Sequence, residues 1–373
     1  MQKQRVLTMA IHQILSGAYI NSQTLTLVAC VLGLVNGGEM TLAGIGRNMP
    51  GPVDPKHKIK RVDRFCGNKN VDAGSLCGPM LLALSKRFPW LVVSVDWTKI
   101  DDFQVLVFAV TSRYGRAIPV YWEVVDKNEE RMKAVEVEAI DRFHALVPLR
   151  VKVTIMADRG FDEVKFIAAV ARNFEYVIRI AKSNSISDGA DLVKVPRIFA
   201  ALSGQLTVRD IVVDFGDVLF TKANQFKTRV IGLHKSGKDD PWFLATSLKD
   251  ESPQRIVRKY ARRFDIEHAF KDWKDVKHGW QLGGIRSTST ERLARLLIIP
   301  AVAFLLMMLH GLLGESRNLH RGLQCNSKKD KRCLSLWRVG VLLYTTVQRR
   351  LPGLTVESLM NLLEILPFQM EVA

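Results

Sequence analysis

The sequence has few cysteines, and their positions match no familiar use of the residue. The five are Cys30, Cys66, Cys77, Cys325 and Cys333. They form no CxxC pair and show no metal-ligand spacing. Their odd number argues against a complete disulfide framework. Internal repeats and low-complexity segments are also absent, which excludes repeat architectures. We therefore expect an ordinary globular protein of a reducing compartment.

The chain is also short of acidic residues. It has 37 Asp and Glu against 54 Lys and Arg, so the formal net charge is +17. This balance favours polyanionic partners, with nucleic acid first and an anionic membrane surface second. Basic residues crowd into 56–64, 255–263 and 328–332, and apolar residues such as Ile59 and Ile256 interleave the first two runs. A solvated face is the plainer interpretation, but a folded basic surface can also track a phosphate backbone.

Only one apolar run is long enough to suggest a membrane. Residues 296–309 are fourteen consecutive apolar residues that include Pro300, whereas a membrane-spanning helix needs about 20. We therefore expect a buried core helix, no membrane partner and a cytoplasmic location.

The N-terminal region, residues 1–85, has a helical pattern. Apolar runs at 24–35 and 40–45 are separated by Asn36-Gly37-Gly38, a strong turn signal. Two helices joined by a short turn suit a helix-turn-helix, and the basic run at 56–64 directly after it favours a DNA-binding region. The alternative is a helical hairpin that binds nothing.

The remaining regions alternate strands and helices. Residues 86–182 contain β-rich runs at 90–96, 104–110 and 118–125, then a helix at 131–146, a strand at 151–157, a helix at 163–172 and a strand at 176–180. Residues 183–248 show short alternating runs that predict an all-β insertion. Helical periodicity returns in 249–320 and continues in 321–373. The predicted fold class is α/β, with a mixed sheet flanked by helices and interrupted by the insertion.

Two apolar strands each end in an aspartate. Asp96 follows VVSV and Asp158 follows VTIMA. A carboxylate at the end of a buried strand is costly unless it meets a cation or faces an open crevice. One such residue is unremarkable, because turns often begin with Asp, but two of them favour a metal site.

A third carboxylate lies in the helical sequence KYARRFDIEHAFKDWK. Projected on an α-helix, Tyr260, Arg263, Glu267 and Lys274 fall within an arc of about 60°, so we expect a polar stripe that faces a substrate. The plainer alternative is a solvated face held by an Arg263–Glu267 pair. Cleaving a phosphodiester needs an activated nucleophile and a stabilised leaving oxygen, which two metal ions held by three carboxylates supply. Tyr, Arg and Lys beside the Glu suit phosphate contacts.

These residues resemble a known signature. The series Tyr260, Arg263, Glu267 and Lys274 matches the Y-(2)-R-(3)-E-(6)-K pattern of one branch of bacterial insertion-sequence transposases in the DDE superfamily, and Asp96 and Asp158 precede it in the right order. The resemblance covers roughly residues 40–320. It implies an RNase H-like catalytic core, cut-and-paste transposition of double-stranded DNA, and a homodimer that pairs the two terminal inverted repeats.

The resemblance also implies roles for single residues. Asp96, Asp158 and Glu267 would bind two Mg²⁺ ions, or Mn²⁺, while Tyr260, Arg263 and Lys274 would hold terminal phosphates. The run KHKIKRVDRF is similar to the segment that leads out of the DNA-binding region, so Lys58 and Arg61 are expected to contact DNA. Trp242 is the candidate for stacking on a flipped base, with a core role as its alternative. The rival functions are a nuclease that does not join strands and a non-catalytic DNA-binding regulator.

Overall fold

The computed structural model describes most of the chain. The described residues are 2–181, 184–187, 192–194, 211–220, 226–235, 241–283, 285, 287–325, 332–345 and 351–368.

The N-terminal region is helical, as its pattern predicts. Five helices share this region and are α1 (Gln2–Ile14), α2 (Asn21–Gly37), α3 (Leu42–Arg47), α4 (Pro55–Gly67) and α5 (Cys77–Leu84). Helix α2 ends where Gly38 takes a φ of 66°, a left-handed conformation that glycine adopts without a steric penalty. Thr41 accepts a hydrogen bond from the Gly44 amide and so begins α3. The predicted turn between two helices is therefore present.

A mixed sheet forms the centre of the molecule. Its first five strands and the two helices between them are β1 (Trp90–Ile100), β2 (Phe103–Thr111), β3 (Ala117–Asp126), α6 (Met132–Leu146), β4 (Lys152–Ala157), α7 (Val164–Ala171) and β5 (Glu175–Ile180). The strand order is β3-β2-β1-β4-β5. The first three strands are an antiparallel meander, whereas β4 is parallel to both β1 and β5. This confirms the predicted meander followed by alternating helices and strands.

Five further strands extend the same sheet beyond β5. They are β6 (Ser185–Ser187), β7 (Leu192–Lys194), β8 (Ile211–Phe220), β9 (Phe226–His234) and β10 (Trp242–Thr246). The order continues β5-β10-β9-β8-β6-β7, and β10 pairs with β5 antiparallel. The strands described between residues 183 and 248 thus continue the core sheet. The prediction of an all-β insertion is not confirmed as a separate unit, and part of its run at 206–213 lies outside the described residues.

The C-terminal third of the chain is mainly helical. Its helices are α8 (Pro253–Ala261), α9 (Asp265–Lys274), α10 (Thr290–Ser316), α11 (Leu336–Thr345) and α12 (Val356–Leu363). The prediction of one continuous helix through KYARRFDIEHAFKDWK is wrong in one respect, because a 3-10 turn at Arg262–Phe264 separates α8 from α9. The 3-10 turn is tighter than an α-helical turn. The apolar side chains of α8 pack in a small hydrophobic cluster, and those of α9 pack in the main hydrophobic core.

Helix α10 passes through the main hydrophobic core. By length and composition it could cross a membrane, but its apolar window is entirely buried inside the protein. It contacts α2, α4, α11 and β3, which agrees with the predicted buried helix. It crosses α11 closely at Gly311 and Gly340, where a Cβ on Gly340 would lie 1.9 Å from the Met307 carbonyl oxygen.

Candidate active site

Strands β1 and β4 bring two aspartates side by side. The last parallel pair between them is Val95 with Ala157, so Asp96 and Asp158 are the residues that directly follow this pair along the two adjacent segments. Strand alternation places Asp96 on the same face as Val92, and Asp158 on the same face as Met156. Asp158 directly follows β4, as expected, but Asp96 is not at a strand end. Strand β1 continues to Ile100 because its pairing with β2 goes on to Phe103.

Arg263 links the third carboxylate to the first. Its Nη1 donates to Asp96 Oδ2 at 3.3 Å and its Nη2 donates to Glu267 Oε1 at 2.6 Å. The Arg263 side chain is 6% exposed, whereas that of Glu267 is 49% exposed. Arg263 is therefore buried between the helix and the sheet, which argues against the alternative of a solvated face held by an Arg263–Glu267 pair. Of the four residues in the predicted stripe, Glu267 is exposed and Lys274 is half-buried.

The electrostatics of Asp96 report a cluster of carboxylates. The pKa of Asp96 is raised to about 6, mainly by burial, with the charge of Arg263 opposing the rise and the charges of Asp158 and Glu267 adding to it. The charges of both other carboxylates therefore act on Asp96. A group with this pKa is readily stabilised in its charged form by an added cation.

Tyr260 and Lys274 flank this cluster. Tyr260 is 1% exposed, and its pKa is raised, mainly by burial, while the nearby charges of Arg263 and Arg179 oppose the shift. Lys274 donates from Nζ to Thr98 Oγ1, two residues along β1 from Asp96. Burial lowers the pKa of Lys274, and the charge of Asp96 opposes this. Arg263 and Lys274 therefore both contact side chains of β1, whereas Tyr260 packs beside Trp242 of β10.

Trp242, at the start of β10, is half-buried beside Tyr260. The two rings meet edge to face with centroids 5.2 Å apart. The Lys235 ammonium lies 5.3 Å from the centroid of the Trp242 ring, and the Arg179 guanidinium lies 5.8 Å from it. Part of the Trp242 indole thus packs against Tyr260 in a small hydrophobic cluster, and the cationic groups of Lys235 and Arg179 lie close to its ring.

Helix α9 is fixed against the sheet by polar contacts with the turn between β2 and β3. Arg116, in the turn between β2 and β3, pairs with Asp272. Arg262 donates to the Ser112 carbonyl at 2.9 Å. Ile266 and Trp273 pack in the main core. Because these contacts hold both ends of α9, they determine where Glu267 emerges.

The basic run at 56–64 forms helix α4. Lys58 donates to the Met49 and Gly51 carbonyl oxygens at 2.9 and 2.7 Å, so its ammonium already serves the local fold. Arg61 is exposed and hydrogen-bonded to Thr26. Lys60 and Arg64 are exposed on the same helix. The structure thus places both predicted residues on a basic helix. The Lys58 ammonium is already bonded to two backbone carbonyl oxygens, whereas Arg61 has a single side-chain partner among the described residues, Thr26.

Sequence reasoning missed several residues that contact the cluster. Thr98 holds Lys274, Arg179 lies beside Tyr260 and Trp242, and Glu136 binds the indole of Trp97. Glu136 carried a readable signal, because it interrupts the apolar face of α6 that Val135, Ala139 and Ile140 define. Thr98 and Arg179 carried none, since both are ordinary strand residues.

The donor set suits a hard divalent cation. Carboxylate oxygens are the ligands that Mg²⁺ and Mn²⁺ prefer, and burial, which raises the pKa of Asp96, disfavours its charged form unless a cation lies nearby. In the part of the chain that the structure describes, no three Asp, Glu, His or Cys side chains are placed to hold one ion together. Arg263 instead neutralises two of the carboxylates, so it competes with a metal ion for them.

The fold is α/β, and it brings together carboxylates from β1, from the end of β4 and from α9 among basic and aromatic residues. The family described as Transposase DDE domain matches residues 107–306, more than half of the 373-residue chain. The chain therefore belongs to the DDE transposase family. Asp158 and Glu267 lie within the matched range, whereas Asp96 precedes it. No curated protein matches the chain significantly.

Proposed function

We propose that this protein is a cut-and-paste DNA transposase that cleaves phosphodiester bonds at transposon ends and joins the freed 3′ ends to target DNA. The observation that carries this is that Arg263 bonds to both Asp96 and Glu267, while Asp158 lies on the strand beside Asp96. We further assign the chain to the bacterial insertion-sequence branch with the Y-(2)-R-(3)-E-(6)-K signature. The strand order β3-β2-β1-β4-β5, with its antiparallel meander, supports an RNase H-like core.

In this proposal Asp96, Asp158 and Glu267 hold two Mg²⁺ ions, with Mn²⁺ as a substitute. Bound there, the ions would activate the attacking oxygen and stabilise the leaving oxygen. The chain's own contribution is to hold the three carboxylates close together, with the charge of Arg263 opposing the rise in the pKa of Asp96 that burial causes. The neighbouring β1 and β4 supply two of them, and α9 supplies the third.

The basic and aromatic residues of the site would grip the DNA end. The Arg263 guanidinium is planar and matches phosphate geometry, and because it is buried and bonded to Asp96 and Glu267, it would bind a phosphate by exchanging one of these partners. Lys274 and Tyr260 would contact adjacent phosphates. Trp242, with Lys235 and Arg179 at its ring, would stack on a base flipped from the end, because aromatic faces hold bases and cations attract their phosphates.

The surface outside the site supports binding of double-stranded DNA. Residues 1–85 would form the DNA-binding region, with exposed basic residues of α4, including Arg61, on the phosphate backbone and Lys58 shaping the preceding turn. The remaining boundaries would be 86–182 and 249–320 for the core, 183–248 for the β-rich segment and 321–373 for the C-terminal region. We expect a homodimer in the synaptic complex and a cytoplasmic, nucleoid-associated protein.

The decisive experiment uses purified full-length protein and a labelled duplex carrying its own terminal inverted repeat. With Mg²⁺, nicks at the repeat terminus and joined product on adding target DNA are expected, and EDTA should abolish both. Glu267→Gln should abolish cleavage and keep end binding, because it removes a metal ligand but little shape. Normal cutting by Glu267→Gln would overturn the site assignment.

The alternatives give different products in the same assay. Metal-dependent nicks without joined product would indicate a nuclease that does not transfer strands. Binding to correct ends without any cutting, in the presence of metal, would indicate a regulatory DNA-binding protein.

A further inference from the structure

Each aspartate of the cluster is oriented by a backbone amide close to it. Asp96 Oδ1 accepts a hydrogen bond from the Trp97 amide at 2.8 Å. Asp158 Oδ1 accepts one from the Gly160 amide at 2.8 Å. The directions of both carboxylates therefore depend on where the backbone of Trp97 and Gly160 is held.

One ion pair on helix α6 contacts both of these anchoring residues. Glu136 Oε1 accepts a hydrogen bond from the Trp97 indole Nε1 at 3.0 Å. Lys133 donates from Nζ to the Gly160 carbonyl oxygen, and it pairs with Glu136 at 3.2 Å. Strand alternation points Trp97 away from Asp96, so this pair acts from the opposite face of the sheet.

Glu136 is an unusual residue for its position. It is 2% exposed and lies on the apolar face of α6, where a carboxylate loses most of its hydration. Such burial costs several kcal/mol before partners offset it, and a well-packed apolar residue avoids that cost. Trp97 and Lys133 are its hydrogen-bonding partners, and Glu163 is the neighbouring acid. Glu136 therefore places a buried carboxylate where an apolar residue would pack, and it contacts Trp97 directly and Gly160 through Lys133. We interpret this arrangement as a role beyond packing.

We propose that Glu136 and Lys133 form a positioning pair that fixes the Asp96 and Asp158 carboxylates relative to each other. This inference rests on the proposed function, because it assigns the pair to the same metal-binding cluster. The pair touches neither the DNA nor the ions. It acts through Trp97 on one strand and Gly160 beyond the other, and outer contacts of this kind typically change metal affinity or activity about 10-fold to 100-fold.

Three substitutions test the pair in the full-length protein without DNA. Glu136→Met keeps the volume and removes the charge, Lys133→Met removes the bond to Gly160, and Trp97→Phe removes the indole N–H. Glu138→Gln is the matched control, because Glu138 lies on the same helix, exposed and paired with Arg131. Each variant is titrated with Mn²⁺ by electron paramagnetic resonance, with Asp96→Asn defining binding outside the site.

The expected result separates positioning from structural support. Glu136→Met should lower Mn²⁺ affinity about 10-fold or more while its thermal unfolding temperature stays equal or rises, since a buried charge has been removed. Lys133→Met and Trp97→Phe should lower affinity in the same direction, and the double variant of Glu136 and Lys133 should lose no more than the worse single variant. If folded Glu136→Met and Lys133→Met bound Mn²⁺ with unchanged affinity, the proposal of a positioning pair would be overturned.

Hydrogen–deuterium exchange gives a second measurement that needs no metal. Peptides containing Trp97 and Gly160 should exchange faster in Glu136→Met and Lys133→Met than in Glu138→Gln, and equal rates would also contradict the proposal. If wild type bound Mn²⁺ no better than Asp96→Asn, the proposed metal site would fail. The exchange rates would then decide the positioning pair on their own.

Discussion

At the scale of single residues, Arg263 is the internal cation of the cluster. It bonds to Asp96 and Glu267 at once, so a metal ion bound as proposed would compete with a guanidinium already in place. In the proposed function, DNA phosphates would offer Arg263 an alternative partner, which would link end binding to the availability of the carboxylates.

Replacing Arg263 should therefore strengthen metal binding in the absence of DNA. Arg263→Gln removes the competing charge, and we expect Mn²⁺ affinity to rise about 10-fold, which corresponds to about 1.4 kcal/mol. The same variant should bind transposon ends more weakly, because a phosphate contact is lost. Isothermal titration with Mn²⁺ and anisotropy with labelled ends measure the two effects.

Arg258→Gln provides the control for that comparison. Arg258 is exposed on the neighbouring turn of α8, so its substitution makes the same change in net charge without touching the cluster. Equal Mn²⁺ affinity in Arg263→Gln and Arg258→Gln would show that Arg263 does not compete with metal.

The carboxylates could be predicted from the sequence, but their surroundings could not. Asp96 and Asp158 follow apolar runs, and adjacent parallel strands place such residues together. The burial of Arg263 was not predictable, because a projection on one straight helix assumes a constant 3.6-residue period. The 3-10 turn at Arg262–Phe264 changes that period locally, and nothing in the residues RRF specifies it.

At the scale of elements, the crossing of α10 and α11 determines how the C-terminal helices pack. Gly311 and Gly340 face each other, and a Cβ on either would meet backbone atoms of the other helix. The sequence predicted both helices from their apolar runs. It did not predict the crossing, because isolated glycines in a helical pattern have several possible roles.

Gly340→Ala should destabilise the protein substantially. The added methyl would lie 1.9 Å from the Met307 carbonyl oxygen, and backbone cannot move aside as a side chain can. Overpacking of this kind costs about 1–3 kcal/mol, which urea unfolding would measure as a lower midpoint. Gly322→Ala is the control, since its Cβ would meet nothing within 4 Å. Equal midpoints for the two variants would contradict the close crossing.

At the scale of the whole molecule, one core joins the N-terminal helices, the sheet and α10. His310 lies in this core with neither ring nitrogen hydrogen-bonded among the described residues. Its pKa is lowered from 6.5 to about 3, mainly by burial and in addition by the nearby charge of Lys3. The folded protein therefore keeps this imidazole neutral where the unfolded chain protonates it.

This difference predicts a loss of stability in mild acid. Below pH 6.5 the unfolded state binds one more proton at His310, so the free energy of unfolding should fall by up to about 1.4 kcal/mol per pH unit until the folded pKa is reached. His310→Leu should flatten the decline between pH 6 and 4 in urea unfolding, whereas exposed His144→Leu should not. An equally steep decline in His310→Leu would assign the acid sensitivity to other groups.

The net charge of +17 makes affinity for DNA strongly dependent on salt, and α4 supplies a testable part of it. Each phosphate contact contributes about 0.9 to the slope of log affinity against log salt. Lys60→Ala with Arg64→Ala should therefore lower the slope by about 1.8, measured by anisotropy on a terminal-repeat duplex. Lys58→Ala should change the slope less, because its ammonium is bonded to Met49 and Gly51. If the double variant kept the wild-type slope, α4 would not face the DNA backbone, and the basic residues around α8 would have to provide the contacts.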